Sequence, residues 1–381
     1  MDSLPIFNYI FYVQFVGTIA YAGFVLWILL GLRRLNQKPT NIAQPFVSVI
    51  IPVRNEEETI AACLQALLFQ SYPIDKYEVI VVDDHSEDAT YSIIASFAHE
   101  RLKLLSLTDF DGMSPKKAAI HTGIQASRGD IILTTDADCH APDTWVETMV
   151  KYFDNKTGVV ASWLYVETNH RLLSKLESLD SLALSAVGAA GFGWERPILA
   201  NGANFAYRRT VYDEINGFDG VAGFVSGDDD LLLQKIRARG TWRCAFSPDS
   251  RSMIVTQPTT SLRAFFEQRF RWASKGQAYP KFLVFFEVFI YFYFLSLLIL
   301  PIAFIMNGFS PIYVVAPLFI KMLLDAILMR YATEFVRKKQ NPVILFLTEW
   351  LQILYVIIVG FWGLRGSYTW KGRRYSKGRV R

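Results

Sequence analysis

The fold is decided by residues 116–138, which read KKAAIHTGIQASRGDIILTTDAD. The first part has the apolar spacing of a helix, and DIILTTDAD has the composition of a buried strand. A helix followed by a buried strand is the unit from which open parallel sheets are built. This strand ends at Asp136 and Asp138, and in such sheets ligands bind at the carboxyl ends of the strands.

The same alternation precedes this unit. Apolar, β-branched runs predict strands at FVSVIIPV (46–53), YEVIVVDD (77–84) and LKLLSL (102–107). Helical spacing is found in EEETIAACLQALLFQSY (56–72) and DATYSIIASFAHE (88–100). Four strands alternating with three helices predict an α/β fold with an open sheet of the nucleotide-binding type.

Polar residues stand at the carboxyl ends of three predicted strands. A single acidic strand end is commonly only a helix cap or a turn. Three such ends at one sheet edge are harder to explain in this way, and they predict a binding site. Its candidate residues are Pro52, Arg54, Asn55 and Glu56 after the first strand, Asp83 and Asp84 after the second, and Asp136 and Asp138 after the fourth.

Asp136 and Asp138 are the candidate metal ligands. In an extended chain two residues this far apart project in similar directions. Carboxylate oxygens suit Mg²⁺ or Mn²⁺, which keep positions open for water and phosphate. The chain has neither a Walker A loop nor GxGxxG after its first strand, so a phosphate ligand would depend on the metal. Asp84 is a candidate for a base or ribose, and Lys116 for a diphosphate, although a lysine here is also compatible with plain solvation.

The apolar residues are unevenly distributed. Of 381 residues 52% are hydrophobic, and they are concentrated in 9–32 and 282–364. Residues 9–32 carry no charge over a length that crosses a bilayer, and the start of the chain lacks the basic region of a signal peptide. Because Arg33, Arg34 and Lys38 follow this span, its end is expected on the cytoplasmic side.

Further spans are predicted at 282–306 and 311–329, joined by a tight loop at NGFSP (307–311). The segment 343–364 is ambiguous, because it contains Glu349 and precedes the basic tail RGSYTWKGRRYSKGRVR. If it crosses the membrane, the tail lies outside, against the positive-inside tendency. A re-entrant or interfacial segment keeps the tail inside. The cost of Glu349 facing lipid favours a protein-packed or non-spanning segment, and we expect the tail to lie inside.

The middle of the chain resembles family 2 glycosyltransferases of the GT-A fold. The resemblance covers residues 45–275 and rests on an ordered set of motifs, each weak alone. The motifs are IPVRNEE (51–57), VVDDHSED (81–88), residues 116–138, GANFAYRR (202–209) with GF at 217–218, GDDDLLLQKIRARG (227–240) and QRFRW (268–272), which matches Q-x-x-R-W.

This resemblance implies inverting transfer of a sugar from a nucleotide donor, with a UDP-sugar expected, to an acceptor hydroxyl. The implied catalytic base is Asp228, with Asp229 as the alternative, because the family's Glu-Asp pair is replaced here by Gly227-Asp228. Crowding in the triple aspartate is expected to raise one pKa. The implied acceptor or diphosphate residues are Asn204, Asp229, Gln268, Arg271 and Trp272.

The tail motif YTWKGRRY (368–375) resembles the ending of ceramide glucosyltransferase-like enzymes, which favours a lipid acceptor. A basic patch on anionic lipid is the plainer interpretation. The expected partners are a nucleotide-sugar, a lipid or glycan acceptor and the membrane, with no nucleic acid. A processive polysaccharide synthase and a non-catalytic membrane scaffold are the alternatives.

Five regions are therefore predicted in a multi-pass protein of the inner or cell membrane, with a cytoplasmic catalytic domain. They are an N-terminal anchor and linker (1–44), a GT-A domain (45–250), an interfacial helix (251–281), membrane segments (282–364) and a basic tail (365–381).

Overall fold

The computed structural model describes residues 4–35, 39, 43–110, 112–307, 312–363 and 367–376. Its helices and strands follow one another in a long N-terminal helix, an α/β domain, three long helices and a terminal β-hairpin. In chain order they are α1 (Leu4–Arg33), β1 (Val47–Val53), α2 (Ile60–Leu68), β2 (Tyr77–Asp83), α3 (Thr90–Ser96), β3 (Leu102–Ser106), α4 (Pro115–Ala126), β4 (Ile131–Thr134), β5 (Cys139–His140), α5 (Trp145–Val150), β6 (Thr157–Ser162), β7 (Leu164–Val166), α6 (Leu172–Gly193), β8 (Phe205–Arg208), α7 (Arg209–Glu214), α8 (Asp230–Arg239), β9 (Arg243–Ser247), β10 (Ile254–Thr256), α9 (Leu262–Ser274), α10 (Lys281–Asn307), α11 (Ile312–Val336), α12 (Pro342–Gly363), β11 (Ser367–Trp370) and β12 (Arg373–Ser376).

The central sheet has seven strands in the order β3-β2-β1-β4-β8-β6-β9. The four predicted strands form its parallel half, and β8 lies antiparallel between β4 and β6. The predicted α/β class with a largely parallel sheet is therefore confirmed. Because β1, β4 and β2 run in the same direction, their carboxyl ends lie at one edge of the sheet, where the predicted site residues follow them.

The sheet is buried on both faces, as its continuous apolar strands predict. Successive residues of a strand point to opposite faces. Val49 and Ile51 pack with Leu64 of α2 on one face, whereas Ile50 packs with Ile124 of α4 on the other. The second face continues into α6 and the long helices, so the α/β domain and the helices share one hydrophobic core.

The helix α1 packs against α6, α10 and α11. Its contact with α6 is close, because a Cβ atom on Gly193 would lie 1.9 Å from the carbonyl oxygen of Gly31. Three segments of the described chain are long and apolar enough to cross a membrane: Phe11–Arg33, Lys281–Ile299 and Pro342–Gly363. The second predicted C-terminal span, 311–329, falls on α11, which is not one of these three segments, and residues 308–311 of the predicted loop lie outside the described residues.

A network of buried charges joins α1, α11 and α12. Lys321 is fully buried, and its Nζ donates to Asp325 Oδ2 at 2.8 Å, to Gln352 Oε1 at 3.0 Å and to Glu349 Oε2. Tyr21 OH donates to Asp325 Oδ1 at 2.7 Å. Glu349 therefore faces a protein partner, which is the protein-packed position that its cost in lipid favours.

The helix α12 packs along α9, with Tyr355 beside Phe265 and Gly363 beside Ala273. It is one continuous helix. The β-hairpin of β11 and β12 follows it and lies on the α/β domain, where Arg373 pairs with Asp84. The described part of the tail therefore contacts the same domain into which α1 leads.

We expect Lys321→Met to destabilise the protein by about 3–5 kcal/mol, because Asp325 and Glu349 would remain buried without their cation. The measurement is denaturant or thermal unfolding of the full chain in detergent. Lys339→Met is the matched control, because Lys339 is exposed just beyond α11. Equal unfolding midpoints for the two variants would mean that the network contributes nothing to stability.

Candidate active site

One continuous cavity of about 1900 Å³ extends from the carboxyl ends of β1 and β4 to the long helices. At the sheet it is lined by polar side chains, including Glu56, Asp84, Asp138 and Asp228. At its other end it is lined by apolar side chains of α1, α10 and α12 and by part of the Lys321 network. The cavity is therefore chemically two-sided, with charged walls at one end and an apolar wall at the other.

Lys116 lies between two carboxylates. It stands in the first turn of α4, and its Nζ is 2.7 Å from Asp136 Oδ1 and 3.1 Å from Asp228 Oδ2. Burial alone would lower the pKa of Lys116, but the charges of Asp136 and Asp228 raise it above its usual value. The ammonium group therefore stays charged, and it links the end of β4 to the segment before α8.

The next residue, Lys117, points elsewhere and holds that segment in place. Its buried Nζ donates to the carbonyl oxygens of Phe224 at 2.5 Å and of Ser226 at 2.9 Å. Burial lowers the pKa of Lys117 to about 8, against the opposing effect of Asp228 and its neighbours. Two consecutive lysines thus have different roles, one in the cavity and one behind it.

Asp138 is a partly buried carboxylate surrounded by like charge. Burial, followed by the charges of Asp136 and Glu56, raises its pKa to about 6. The chain is not extended here, because Cys139 N donates to Asp136 O in a turn, so the expected parallel projection of Asp136 and Asp138 does not apply. Uncompensated negative charge at this turn creates a place for a cation.

The residues present fit a hard divalent cation. Among the described residues no group of three or more His, Cys, Asp or Glu side chains is arranged to hold a metal ion. Mg²⁺ and its relatives, however, commonly use one or two carboxylates and complete their coordination with water and phosphate oxygens. Asp136 and Asp138 supply such a pair, and Asp138 has an unbalanced charge that a bound cation would neutralise.

The three consecutive aspartates have three different environments. Asp228 lines the cavity beside Lys116, as predicted for a catalytic group. Asp229 caps α8, since its Oδ1 accepts from Asp230 N at 2.6 Å and its Oδ2 from Gly202 N at 2.8 Å. Asp230 is fully buried and pairs with Lys275 Nζ at 2.6 Å and with Tyr279 OH at 2.5 Å.

The raised pKa expected in this triplet belongs to Asp229. Burial and then the charge of Asp230 raise it, while Lys275 opposes them. Both carboxylate oxygens of Asp229 already accept backbone N–H groups, which leaves them poorly placed to take a proton from a ligand. Asp228 is the member of the triplet that pairs with Lys116, next to Asp136.

Hydrogen bonds and an ion pair connect the segments that follow β1 and β2. The Arg54 guanidinium donates to the carbonyl oxygens of Asp84 and His85, both at 2.7 Å, and pairs with Glu87. Asp84 faces the cavity and forms a two-pronged ion pair with Arg373, at 2.5 and 2.9 Å. Pro52, Arg54, Glu56 and Asp84 thus lie together at the cavity wall.

Three predicted site residues do not reach the cavity. Asp83 belongs to β2 and points away from it, where its Oδ2 accepts from Ser86 N. The Asn55 side chain accepts from Glu87 N and shapes the loop. Asn204 is fully buried, and its amide bonds Trp163 O, Ser252 O and Trp145 Nε1. The side-chain hydrogen bonds of Asn55 and Asn204 join parts of the protein framework to each other, which makes both residues structural in this arrangement.

The QRFRW segment lies on α9, with its side chains divided between structure and cavity. Arg269, which sequence reasoning did not single out, is buried and pairs with Asp180 of α6 at 2.6 Å. Its guanidinium also lies 4.4 Å from the ring centroid of Trp272. Gln268 accepts a hydrogen bond from Arg269. All of these side chains except that of Phe270 line the cavity.

Arg271 is the cation of this segment that remains available to a ligand. Its guanidinium stacks 4.9 Å from the ring centroid of Trp370 in the terminal hairpin. Its Nε is buried and has no hydrogen-bond partner among the described residues. A buried N–H of a charged group without an acceptor is costly, so this position favours an anionic or hydrogen-bonding ligand.

Sequence reasoning also missed Lys275, Lys371 and Arg373, which pair with Asp230, Glu56 and Asp84. Each pair joins residues that are far apart in the chain, and no local sequence pattern predicts such a pairing. The basic character of the tail was the only available signal, and it is equally compatible with a lipid-binding patch.

Replacing Asp138 by Asn is expected to stabilise the metal-free protein by about 1–2 kcal/mol, because it removes a carboxylate that burial and like charge disfavour. The stabilisation caused by added Mn²⁺ should be lost in the same variant. Thermal unfolding in EDTA and in Mn²⁺ measures both effects.

Asp136→Asn is the matched variant and should destabilise the metal-free protein, because Lys116 would lose its closest carboxylate. If Asp138→Asn lowered the melting temperature in EDTA as much as Asp136→Asn, the account of charge at this turn would be wrong.

The sequence of this chain is similar to those of known glycosyltransferases. The probable glycosyltransferase YdaM of Bacillus subtilis is 29% identical over 244 residues, which are 61% of this chain and 56% of that protein. The β-monoglucosyldiacylglycerol synthase of Trichormus variabilis is 26% identical over 276 residues, 69% of this chain and 55% of that protein. The chain thus spans about half the length of these curated relatives.

A solved structure shares the fold. The mannosyltransferase PcManGT from Pyrobaculum calidifontis, in complex with GDP-Man and Mn²⁺, aligns over 92% of this chain and 97% of its own, with a TM-score of 0.56 and 22% identity. The predicted GT-A type of fold and the predicted class of enzyme, a glycosyltransferase, are thereby confirmed. The family model for glycosyl transferase family 21 matches residues 10–379, and the chain belongs to that family.

Proposed function

We propose that this protein transfers a sugar from a nucleotide-sugar, with a UDP-sugar as the expected donor, to a lipid acceptor in the membrane, with inversion at the anomeric carbon. The observation that carries the proposal is the two-sided cavity, whose charged end suits a nucleotide diphosphate and whose apolar end suits a lipid chain. The names of two relatives support it, since one makes a glucosyl lipid and the solved neighbour holds a nucleotide-sugar.

The donor occupies the charged end in this proposal. Asp136 and Asp138 would hold a Mg²⁺ or Mn²⁺ ion, and such an ion would supply neutralising charge at the leaving diphosphate. Lys116 lies beside both Asp136 and Asp228 and brings a second positive charge to the same place. Asp84 and Glu56 lie further along this wall and are placed for the sugar hydroxyls of the nucleoside.

Asp228 accepts the proton in the proposed step. The acceptor oxygen forms a bond to the anomeric carbon while the bond from that carbon to the diphosphate oxygen breaks. The electron pair leaves with the diphosphate, and the hydroxyl proton passes to the Asp228 carboxylate. Attack from the face opposite the leaving group inverts the anomeric centre. Arg271 and Trp272 also line the cavity, and we assign them to the acceptor's polar head or to the diphosphate.

The acceptor enters from the membrane in this scheme. We place the α/β domain in the cytoplasm, because Arg33 and Arg34 follow the first span. Packing of α12 along α9 and contact of the terminal hairpin with the α/β domain support an inside tail. Protease should remove a C-terminal tag in inside-out vesicles but not in intact cells, and the reverse result would contradict this orientation.

The decisive experiment incubates membranes containing the protein with a panel of labelled sugar nucleotides and resolves the lipid extract by mass. We expect one donor to give a lipid carrying a single added sugar, and we expect EDTA to abolish the product. A ladder of longer products would indicate a processive synthase. No metal-dependent turnover of any donor would leave the scaffold interpretation and overturn the proposal.

Asp228→Asn should lower kcat by about 10²–10⁴-fold with little change in the donor KM, because it removes the proton acceptor and keeps the shape of the side chain. Asp229→Asn should have a smaller effect on kcat, because Asn also caps helices. Single-turnover assays with the donor found above measure this. The opposite ranking of the two variants would assign proton acceptance to Asp229, and Asp213→Asn on the exposed side of α7 controls for charge alone.

A further inference from the structure

The terminal hairpin carries a lysine at a position where the backbone does not favour one. β11 and β12 pair in antiparallel register, with Trp370 opposite Arg373, so the turn between them has two residues. Both have positive φ, 49° for Lys371 and 76° for Gly372. This is the pattern of a type I′ turn, in which Asn-Gly is the favoured pair and a lysine at the first position is strained. A strained residue at a turn calls for a reason beyond the turn itself.

The contacts of the turn supply that reason. Lys371 Nζ lies 2.5 Å from Glu56 Oε1 and 3.4 Å from Asn55 O, at the end of β1. The carbonyl oxygen of Lys371 accepts from Arg54 Nε at 3.1 Å. On the following strand, Arg373 forms its two-pronged pair with Asp84 at the end of β2. Both basic side chains therefore reach the donor wall of the cavity.

The other side of the hairpin is fixed to α9. Tyr368 and Tyr375 are buried in a small cluster with Val225, and Phe270 of α9 packs against it. The backbone N–H of Thr369 donates to Glu267 of α9, and Trp370 stacks on Arg271. The hairpin thus spans from the QRFRW helix to the carboxyl ends of β1 and β2.

The direction of each basic side chain separates two interpretations of the tail. Arg374 is exposed, and the acceptor of its guanidinium among the described residues is Ser367 Oγ of the same hairpin, at 3.0 Å. Lys371 and Arg373, by contrast, line the cavity and point at carboxylates of the α/β domain. A patch that binds anionic lipid would present its cations outward, so these two cations are better explained by the cavity.

The charge around the tip also favours an anion in the cavity. Lys371 and Asp138 both line the cavity, and Lys371 pairs there with Glu56. Arg271, with its unpartnered Nε, lies at the base of the same hairpin. Lys371, Arg271 and Lys116 therefore bring positive charge to the cavity from the hairpin, α9 and α4.

We propose that the terminal hairpin is a working part of the donor site, in which Lys371 binds the diphosphate and Arg373 holds Asp84 in its binding orientation. The inference rests on the proposed function, since it assumes a nucleotide-sugar donor. It adds that residues 367–376 complete the site from the far end of the chain. Lys371 leaves Glu56 for the diphosphate when the donor binds, and a cation held by Asp136 and Asp138 would supply compensating positive charge for the carboxylates.

Lys371→Asn tests the proposal without weakening the turn, because Asn-Gly is the preferred type I′ pair. The probes are UDP and GDP, each with Mn²⁺, titrated against the full chain in detergent by calorimetry. We expect the variant to bind the diphosphate that the wild type binds about tenfold more weakly or worse, since a charge-assisted contact is lost. Binding of the matching nucleoside, uridine or guanosine, should not change.

Two further variants complete the design. Lys371→Arg keeps the charge and should retain binding within a few-fold of the wild type. Arg374→Gln removes a charge from the same hairpin on its exposed side and should bind like the wild type. Thermal unfolding of all variants checks that the hairpin and the domain remain folded.

Each outcome is assigned in advance. Unchanged or tighter UDP or GDP binding by Lys371→Asn would overturn the role of the hairpin and leave the proposed function standing. Equal weakening of diphosphate and nucleoside would mean that Lys371 only supports the structure, which also overturns the inference. Failure of the wild type to bind either diphosphate would overturn the nucleotide site itself and this inference with it.

Discussion

The ammonium group of Lys116, held between Asp136 and Asp228, is the interaction on which the site depends. Three elements meet at that point: the start of α4, the end of β4 and the segment before α8. Parallel strands bring their carboxyl ends to one edge, so they also bring carboxylates close together, where like charges repel. A cation that touches both sides allows the donor wall and the proposed base to be neighbours in one folded state.

Other basic side chains also neutralise carboxylates around the cavity. Lys275 neutralises Asp230, Arg373 pairs with Asp84, and Lys371 pairs with Glu56. Asp138 differs from these, because its charge is opposed only in part and its pKa is raised. A carboxylate that is only partly neutralised is a better place for a cation than one already in a full ion pair, which is how a binding site differs from a structural ion pair.

The sequence predicts the sheet well because a strand that is buried on both faces is a continuous run of apolar residues. The runs at 46–53, 77–84 and 130–138 contain the strands β1, β2 and β4, which are almost wholly buried, whereas 102–107 contains the partly exposed edge strand β3. Their carboxyl ends also follow, since the direction of parallel strands fixes a common edge. Side-chain direction is less secure. Asp83 and Asp84 are adjacent, yet only Asp84 faces the cavity, as the two-residue period of a strand requires.

Contacts between segments that are distant in the chain could not be predicted from the sequence. Nothing near Asn204 indicates that Trp145, Trp163 and Ser252 will surround its amide. The same holds for Lys371 and Glu56, which are brought together only after α9, α12 and the hairpin have packed. A tail rich in Lys and Arg predicts an anionic partner, but the structure decides between lipid and the cavity by the direction of each side chain.

The helix α9 connects the two ends of the cavity mechanically. Arg269 points to Asp180 of α6, which also accepts from Tyr355 of α12, while Arg271 points to the terminal hairpin. Any shift of α9 would therefore move both the wall beside the long helices and the hairpin at the donor end. Because packed interfaces shift between discrete arrangements rather than deform continuously, the apolar end and the charged end are expected to respond together. A lipid bound against α12 would in this way change the position of the hairpin that carries Lys371. A donor bound by Lys371 would in turn change the apolar wall of the cavity.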